Sequence, residues 1–372
     1  QSIRFNDADN PALSKTFSGA GTEETWTFSC WIKLGVKTSN GRRMIFSAGS
    51  AGSNYGGAEL GSTGDDSLEF YNYASSSYAW RLVTTQQFRD HSAWYHLVFV
   101  SDTTNAVSTE RARIYVNGQR VTDFSTASYP SLNYANNFWM GTTEHDIGTS
   151  IFTTMNFDGY MGEIVNIDGT ATDCNSFAEF NDSGIWVPKD VSGLTFGTNG
   201  FHIDGRDSAD LGDDESGNGN DFTANGLSAD DQQPDSPTNN HAVFNPLEAE
   251  TLITYSEGNL AIAYSGNSAR NMARSTIEIP ASTDAFFEMV MTSNLGSGVD
   301  FAIGIEDGTA QSDNSNSIYN NAYVIREDGN FIDQSSSGSY GVSFTNTDVI
   351  GVWRKANGDL VFYKNGTAMN SG

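Results

Sequence analysis

Residues 25–34 read Thr25-Trp-Thr-Phe-Ser-Cys-Trp-Ile-Lys-Leu34, a ten-residue run of aromatic and β-branched side chains that stops at Gly35. Such a run, bounded by a turn residue, reads as a strand with two packed faces. The same signature recurs outward along the chain. Trp94–Ser101 (WYHLVFVS) is apolar on both faces, and Arg43–Ala48, Ser67–Tyr73 and Ala79–Thr84 are shorter strands between Gly/Ser turns. Arg111–Val116 and Gln119–Phe124 flank Asn117-Gly118, the pair that supplies the two positive φ values of a type I′ hairpin turn. Phe138–Gly141 and Asp158–Ile167 complete the first set. No long amphipathic helix interrupts it, and Ser176–Asn181 offers at most one helical turn. Many short strands in about 180 residues argue for an all-β sandwich of jelly-roll type.

The composition agrees. The chain has 372 residues, 38 of them Gly, with 12% aromatic residues. Its 46 Asp and Glu against 19 Lys and Arg give a formal charge of −27. A surface so acidic repels phosphate, which excludes nucleic acid and anionic membranes as partners and favours cations. No apolar run approaches the roughly 18 residues that cross a bilayer. Two cysteines, Cys30 and Cys174, exclude a disulfide framework; two unpaired thiols are expected, Cys30 facing a core as a small hydrophobe, with a single bridge the alternative.

The chain divides into three stretches: residues 1–183, a connector over 184–240, and a second β-rich block over 241–372. Between Ile203 and Asp235 the connector holds ten acidic residues and one arginine among Gly, Ser and Asn. Its recurring aromatics (Trp186, Phe196, Phe201, Phe222) predict that it packs over the first domain. Strands are expected at Asn259–Tyr264, Ala273–Ile279, Ala285–Thr292, Asp300–Glu306, Ala322–Arg326, Val349–Arg354 and Gly358–Lys364, the last before a second Asn-Gly turn at Asn365-Gly366. Gln1 in place of Met suggests a processed or trimmed start. The end of the chain just after that turn suggests an incomplete second domain.

Three segments resemble known modules. TWTFSCWIKLG, WYHLVFVSD, RARIYVNGQRV and FDGYMGEIVNIDGTA, in that order, resemble a laminin-G-like, concanavalin A-type jelly roll over residues 1–182. DSADLGDDESGNGNDFTANGL followed by DSPTNN is similar to the connector after such domains in tail-fibre and virion-surface proteins of marine bacteriophages. ARSTIEIP, FFEMVMTS, DFAIGIED and DVIGVWRKANGDLVFYKNG resemble a SPRY domain, departing from it where a Trp-rich strand is replaced by Asp284-Ala-Phe-Phe-Glu-Met-Val290. The resemblance implies a bacteriophage surface protein that attaches to host-surface glycans. Its partners would be those glycans, other virion subunits and further copies of itself, and its place the extracellular surface of the virion. The alternatives are a purely structural virion subunit and a secreted bacterial adhesin or lectin.

The candidate chemistry is that of binding. Glucanases on such folds need two carboxyl groups about 5–10 Å apart. In Gly162–Asp168 only Glu163 and Asp168 are acidic, and their odd spacing puts them on opposite faces of a strand. None of the five histidines lies beside a nucleophile-elbow motif, and no phosphate-binding loop is present; His96 reads as a hydrogen-bonded core residue. No enzyme is therefore expected. Calcium, which takes six to eight oxygens from turns, is the expected cofactor. Its candidate ligands are Asp207, Asp210, Asp213, Asp214 and Asp221, together with Glu215, Asn218 and Asn220, and a smaller cluster comprises Asn6, Asp7 and Asp9. Laminin-G-like relatives, by resemblance, often hold this ion. Sugar-stacking candidates are Tyr55, Tyr71, Tyr73 and Tyr78 in one Gly/Ser/Asn-rich stretch, and Tyr134 and Trp139, beside Tyr129, in another. Exposed loops at the sandwich ends are where they are expected.

Overall fold

The computed structural model describes residues 1–36, 41–50, 54–62, 64–135, 138–151, 155–248, 252–266, 271–293, 301–308, 321–334 and 336–371. It separates into two compact units. The first, Gln1–Val243 with Tyr255–Ala261, contains strands β1 (Ser2–Phe5), β2 (Ala12–Thr16), β3 (Thr25–Leu34), β4 (Arg43–Ser50), β5 (Asn54–Leu60), β6 (Ser67–Ala74), β7 (Ser77–Gln87), β8 (Trp94–Asp102) and β9 (Ala112–Val116). They are followed by β10 (Gln119–Arg120), β11 (Phe124–Ser128), β12 (Glu144–Ile147), β13 (Gly159–Asp168), β14 (Ala178–Phe180), β15 (Trp186–Pro188), β16 (Phe201–Ile203), β17 (Thr223–Asn225) and β18 (Gln232–Gln233).

Two eight-stranded antiparallel sheets carry this unit. One runs β10-β9-β8-β3-β13-β1-β18, with β16 also on β13; the other runs β11-β7-β6-β5-β4-β12-β2-β17. The opening run of the sequence, β3, sits between β8 and β13, so both its edges are hydrogen-bonded. Trp26, Phe28, Cys30 and Ile32 face inward and pack with Phe46, Phe70, Phe99 and Trp139. That inward face is apolar because only apolar groups can lose their water without a partner. Residues 184–240 belong to this unit: β16 and β18 extend one sheet and β17 the other. Phe201 and Phe222 enter the same core, while Phe196 joins Val98, Val165 and Cys174 on the opposite face of the first sheet.

Several expectations need correction. Phe138–Gly141 is a turn, with Met140 at φ 69°, and it plugs the core rather than lengthening a sheet. Only Gln119–Arg120 continues the Asn117-Gly118 hairpin; Phe124–Ser128 crosses to pair with β7 in the other sheet. Residues 273–279 form a single bridge at Ser275 instead of a strand. Cys30 and Cys174 are both free and buried.

His96, on the outer face of the first sheet, and His145 are fully buried, and burial holds them neutral, pushed down to about 3 and about 4. His96 stacks on Trp31 and accepts the Trp186 indole N–H at Nδ1 (3.1 Å), so its proton lies on Nε2, toward Ser29 Oγ (2.9 Å).

The second unit, Phe244–Thr254 with Ile262–Gly372, holds two four-stranded meanders. After β19 (Ile253–Ser256) and β20 (Ala261–Tyr264) come β21 (Ala285–Val290), β22 (Ala302–Glu306), β23 (Ala322–Arg326), β24 (Asn330–Asp333), β25 (Ser336–Ser339), β26 (Val349–Arg354), β27 (Leu360–Lys364) and β28 (Thr367–Ala368). One sheet is β21-β26-β27-β28 and the other β22-β23-β24-β25. Ile303 and Ile325 from the second meander share a core with Ile350, Val352 and Phe362 from the first. Asn365 and Gly366 turn with φ of 50° and 75° between β27 and β28.

Candidate functional site

The sheet β4–β7 buries one face and presents the other, as the two-residue period of a strand dictates. Ala58, Leu60, Leu68, Phe70 and Leu82 point into the core. The opposite face is built in cross-strand rows. Tyr55 on β5 lies opposite Tyr73 on β6, and Tyr73 opposite Tyr78 on β7. In the next row Tyr71 stands between Gly57 and Arg81, and beyond it Glu59 pairs directly with Glu69.

These rows bring all four candidate tyrosines of residues 55–78 into one cluster, on β5, β6 and β7. Tyr55 and Tyr73 ring centroids are 5.0 Å apart; Tyr71 meets Tyr55 edge-on at 6.1 Å and Tyr78 at 5.7 Å; Tyr73 meets Tyr78 at 5.3 Å. Edge-to-face contacts of this kind are the favoured aromatic geometry. Tyr78 is 43% exposed, Tyr55 and Tyr73 are half-buried, and Tyr71 forms the floor at 1% exposure. The Tyr71 hydroxyl is buried with no hydrogen-bond partner among the described residues. Such a group costs about 1–3 kcal/mol and is satisfied once a ligand hydroxyl or a water reaches it.

Beside the tyrosines lies a buried ionic layer. Glu59 accepts Arg42 Nε at 2.8 Å and is also paired with Arg42 Nη2; Glu69 accepts Arg81 Nε and Nη2, both at 2.7 Å. Both carboxylates have 0% exposure. The Arg81 guanidinium also lies 4.4 Å from the Tyr78 ring centroid, a cation–π contact. Burial pushes Glu59 up, and Arg42 counters it. Burial also raises Tyr55, Tyr71 and Tyr78, with Glu69 adding to the shift of each, so their hydroxyls stay neutral and both donate and accept. Two bidentate pairs leave this floor with no net charge, on a chain that carries −27. The face therefore offers aromatic rings and neutral hydroxyls, the chemistry of an uncharged polyhydroxyl ligand.

The other stacking candidates lie elsewhere. Trp139 is fully buried between Phe46 and Trp26 and donates Nε1 to Asn166 Oδ1 (2.9 Å), so it belongs to the core and not to a sugar platform. Tyr134 is half-buried and donates its hydroxyl to Asn72 Oδ1 (2.6 Å).

The residues expected to hold calcium accept backbone hydrogen bonds in turns. Asp207 Oδ1 accepts the Ala209 N–H, and Asp210 Oδ1 the Gly212 N–H. Asp214 accepts from the backbone of His202, Ser216 and Asn220, and Asp221 Oδ1 accepts the Asp214 N–H. These carboxylates organise turns, as aspartates two residues before an N–H do. Asp213 is half-buried and pushed up, first by desolvation and then by Asp221, Asp210 and Asp207. Among the described residues no group of three or more His, Cys, Asp or Glu is placed to hold a metal.

The smaller cluster near the start closes on itself as well. Asn6 Nδ2 donates to Asp9 Oδ2 (2.8 Å) and to Glu257 Oε1 (2.9 Å), and the Asp7 N–H donates to Asp158 Oδ2 (3.3 Å). Asp158 is 2% exposed with Oδ1 unpartnered, and burial pushes it up to about 7 against the opposing hydrogen bond from the Asp7 backbone N–H. The folded chain keeps this proton between about pH 4 and 7 while the unfolded chain releases it, so stability falls as pH rises through that window and levels off above it. Asp158→Asn, whose amide oxygen still accepts from Asp7, is expected to flatten that fall. Thermal melts from pH 4 to 8 check this: its Tm advantage over wild type widens toward pH 7, and parallel curves would contradict the assignment.

Residues 7–171 match the family described as the Concanavalin A-like lectin/glucanases superfamily, the class that the two-sheet fold defines. No curated protein sequence matches the chain. Among solved structures, the chain is similar to a heptameric SAP-like pentraxin from Limulus polyphemus (15% identity, 44% of this chain and 71% of that one, TM-score 0.32). It is similar to mouse laminin alpha1 domains LG4-5 (10% identity, 99% and 76%, TM-score 0.35). It is also similar to a full-length tailspike protein of the Escherichia coli bacteriophage CAB120 (11% identity, 47% and 23%, TM-score 0.33). The matched residues 7–171 lie within the two-sheet β-sandwich of the first unit, and no helix among the described residues is long and apolar enough to cross a membrane.

Proposed function

We propose that this chain is a non-enzymatic glycan-binding protein of a bacteriophage virion surface, a tail-fibre, spike or decoration subunit that meets host sugars through Tyr55, Tyr71, Tyr73 and Tyr78. The observation that carries the reading is the tyrosine cluster on a lectin-type sheet, with an unpartnered hydroxyl beneath it and no net charge in its floor. Ring faces take the apolar side of a pyranose and the hydroxyls its polar rim, the usual division of labour in a ligand site. The virion setting is supported by the resemblance of the connector segments 207–227 and 235–240 to those of phage tail-fibre and virion-surface proteins, and by the order of laminin-G-like, acidic and SPRY-like segments, which resembles phage fibre proteins as a whole. Other virion subunits and further copies of the chain are its expected partners.

Glu59 and Glu69 face each other across β5 and β6, the kind of pair glycoside hydrolysis uses. Each is spent on an arginine and closed to solvent, which leaves neither as a free acid or nucleophile.

The test is an array of bacterial surface glycans probed with the full chain, with added calcium and then with chelator. Binding that survives chelation is expected, because the acidic residues are engaged with backbone N–H groups. Absence of binding by folded protein would replace this reading with a structural subunit, and cleavage of a bound polysaccharide would replace it with an enzyme. Antibody labelling of purified virions checks the location.

A further inference from the structure

Lys33 is a fully buried lysine near the end of β3. Its Nζ lies 2.8 Å from Asp235 Oδ2, 2.8 Å from Asn240 Oδ1 and 2.6 Å from the His241 carbonyl oxygen. The Tyr160 ring centroid is 5.9 Å away. The other Asp235 oxygen accepts the Trp94 indole N–H (2.9 Å) and the His241 backbone N–H (3.2 Å). Asn240 Nδ2 donates to the Ser92 carbonyl (2.8 Å), which holds the amide with its oxygen toward the lysine. An amide oxygen at that distance places its carbon roughly 3–4 Å from Nζ, within a small shift of the separation from which a bond can form.

The geometry points to an intramolecular amide cross-link between Lys33 Nζ and Asn240 Cγ, made by the folded chain itself with Asp235 as the proton carrier. Asp235 takes a proton from the ammonium and frees its lone pair. Nζ attacks Cγ, and the carbonyl electrons move onto Oδ1. Asp235 passes that proton to Nδ2 and takes one from the attacking nitrogen, the carbonyl re-forms as the Cγ–Nδ2 bond breaks, and the departing ammonia removes the proton left on Asp235 and exits as ammonium. The lysine and asparagine side chains become one secondary amide. No oxidant, reductant or added group is needed.

Two further features favour the reaction. Desolvation by burial lowers the Lys33 amine, against the opposing pull of Asp235, so the neutral nucleophile is accessible. Asn240 is exposed, which gives ammonia an exit. The bond would tie the end of the connector to a central strand 207 positions earlier in the chain, holding β18 and the residues after it on the sandwich independently of the glycan face.

Intact-mass measurement of the purified full chain tests this. Wild type is expected to be lighter than its sequence by one ammonia, and tandem mass spectrometry of its digest to contain a branched peptide joining Lys33 to Asn240. Only the branched peptide counts, since succinimide formation and glutamine cyclisation lose the same mass. Asn240→Ala, which keeps the Lys33–Asp235 pair and changes an exposed side chain, is expected to lose the branched peptide while retaining its far-ultraviolet circular dichroism. Asp235→Asn is expected to slow cross-linking. Folded wild type that yields only linear Lys33 and Asn240 peptides would overturn the proposal and leave the contact an ion pair.

Discussion

Replacing Tyr73 and Tyr78 together by alanine is expected to weaken glycan binding about ten- to hundredfold while leaving the fold intact. The two rings contact each other at 5.3 Å, and Tyr78 is the most exposed of the four. Aromatic contacts contribute about 0.5–1.5 kcal/mol each beyond their buried area, and every 1.4 kcal/mol is tenfold in affinity. Neither ring belongs to the sandwich core, so the thermal midpoint should move little. The paired substitution to phenylalanine separates stacking from hydrogen bonding: it keeps the rings and is expected to retain most of the affinity. Titration calorimetry against a glycan captured on the array reads both. Unchanged affinity in the alanine variant would remove this face from the binding site.

The second large effect is one of stability. Trp139→Ala is expected to destabilise the first unit by about 3–5 kcal/mol, the usual cost of emptying a buried aromatic site. The ring sits 4.6 Å from Phe46, 5.5 Å from Phe28 and 4.9 Å from His145 by centroid. Removing it also strips Asn166 Oδ1 of its indole donor, and an orphaned buried acceptor carries its own cost. Against a typical total of about 5–15 kcal/mol, the urea transition of the variant should shift plainly to lower concentration. A variant of unchanged stability that had lost glycan binding would instead place Trp139 on the sugar-facing surface.

What could be read in the chain follows from where the information resides. β3, β8 and β13 are long and rich in apolar residues, so their existence could be read, while their order, β8-β3-β13, comes only from the fold. The Asn117-Gly118 turn is local chemistry, and its φ values of 47° and 82° are those the dipeptide prefers. β5 was illegible because Gly56 and Gly57 interrupt its pattern, and glycine weakens a strand signal. Gly57 is required there: a Cβ on it would stand 2.1 Å from the Phe46 carbonyl oxygen. With β5 unread, Tyr55 seemed a loop residue, and the Glu59–Glu69 pairing, which exists only through the β5–β6 register, left no trace.

The aspartates of the connector are ambiguous in sequence for a related reason. An Asp that accepts an N–H two residues on and an Asp that binds calcium look alike in one dimension, and only the hydrogen bonds of Asp207, Asp210 and Asp214 tell them apart. Aromatic composition likewise does not say which rings are inside. Phe138 and Trp139 lie in a turn that folds into the core, while four tyrosines on alternate strand positions stand outside it. The Lys33–Asp235 contact spans 202 positions of sequence and has no local signature at all.

The most direct test of the central claim is hydrogen–deuterium exchange on the full chain, with and without a glycan that binds it. Protection concentrated in peptides covering residues 54–87, and absent from the same peptides of the Tyr73/Tyr78 alanine variant, is the predicted result. Glycan-dependent protection confined to other segments, with residues 54–87 exchanging as in the free protein, would contradict it.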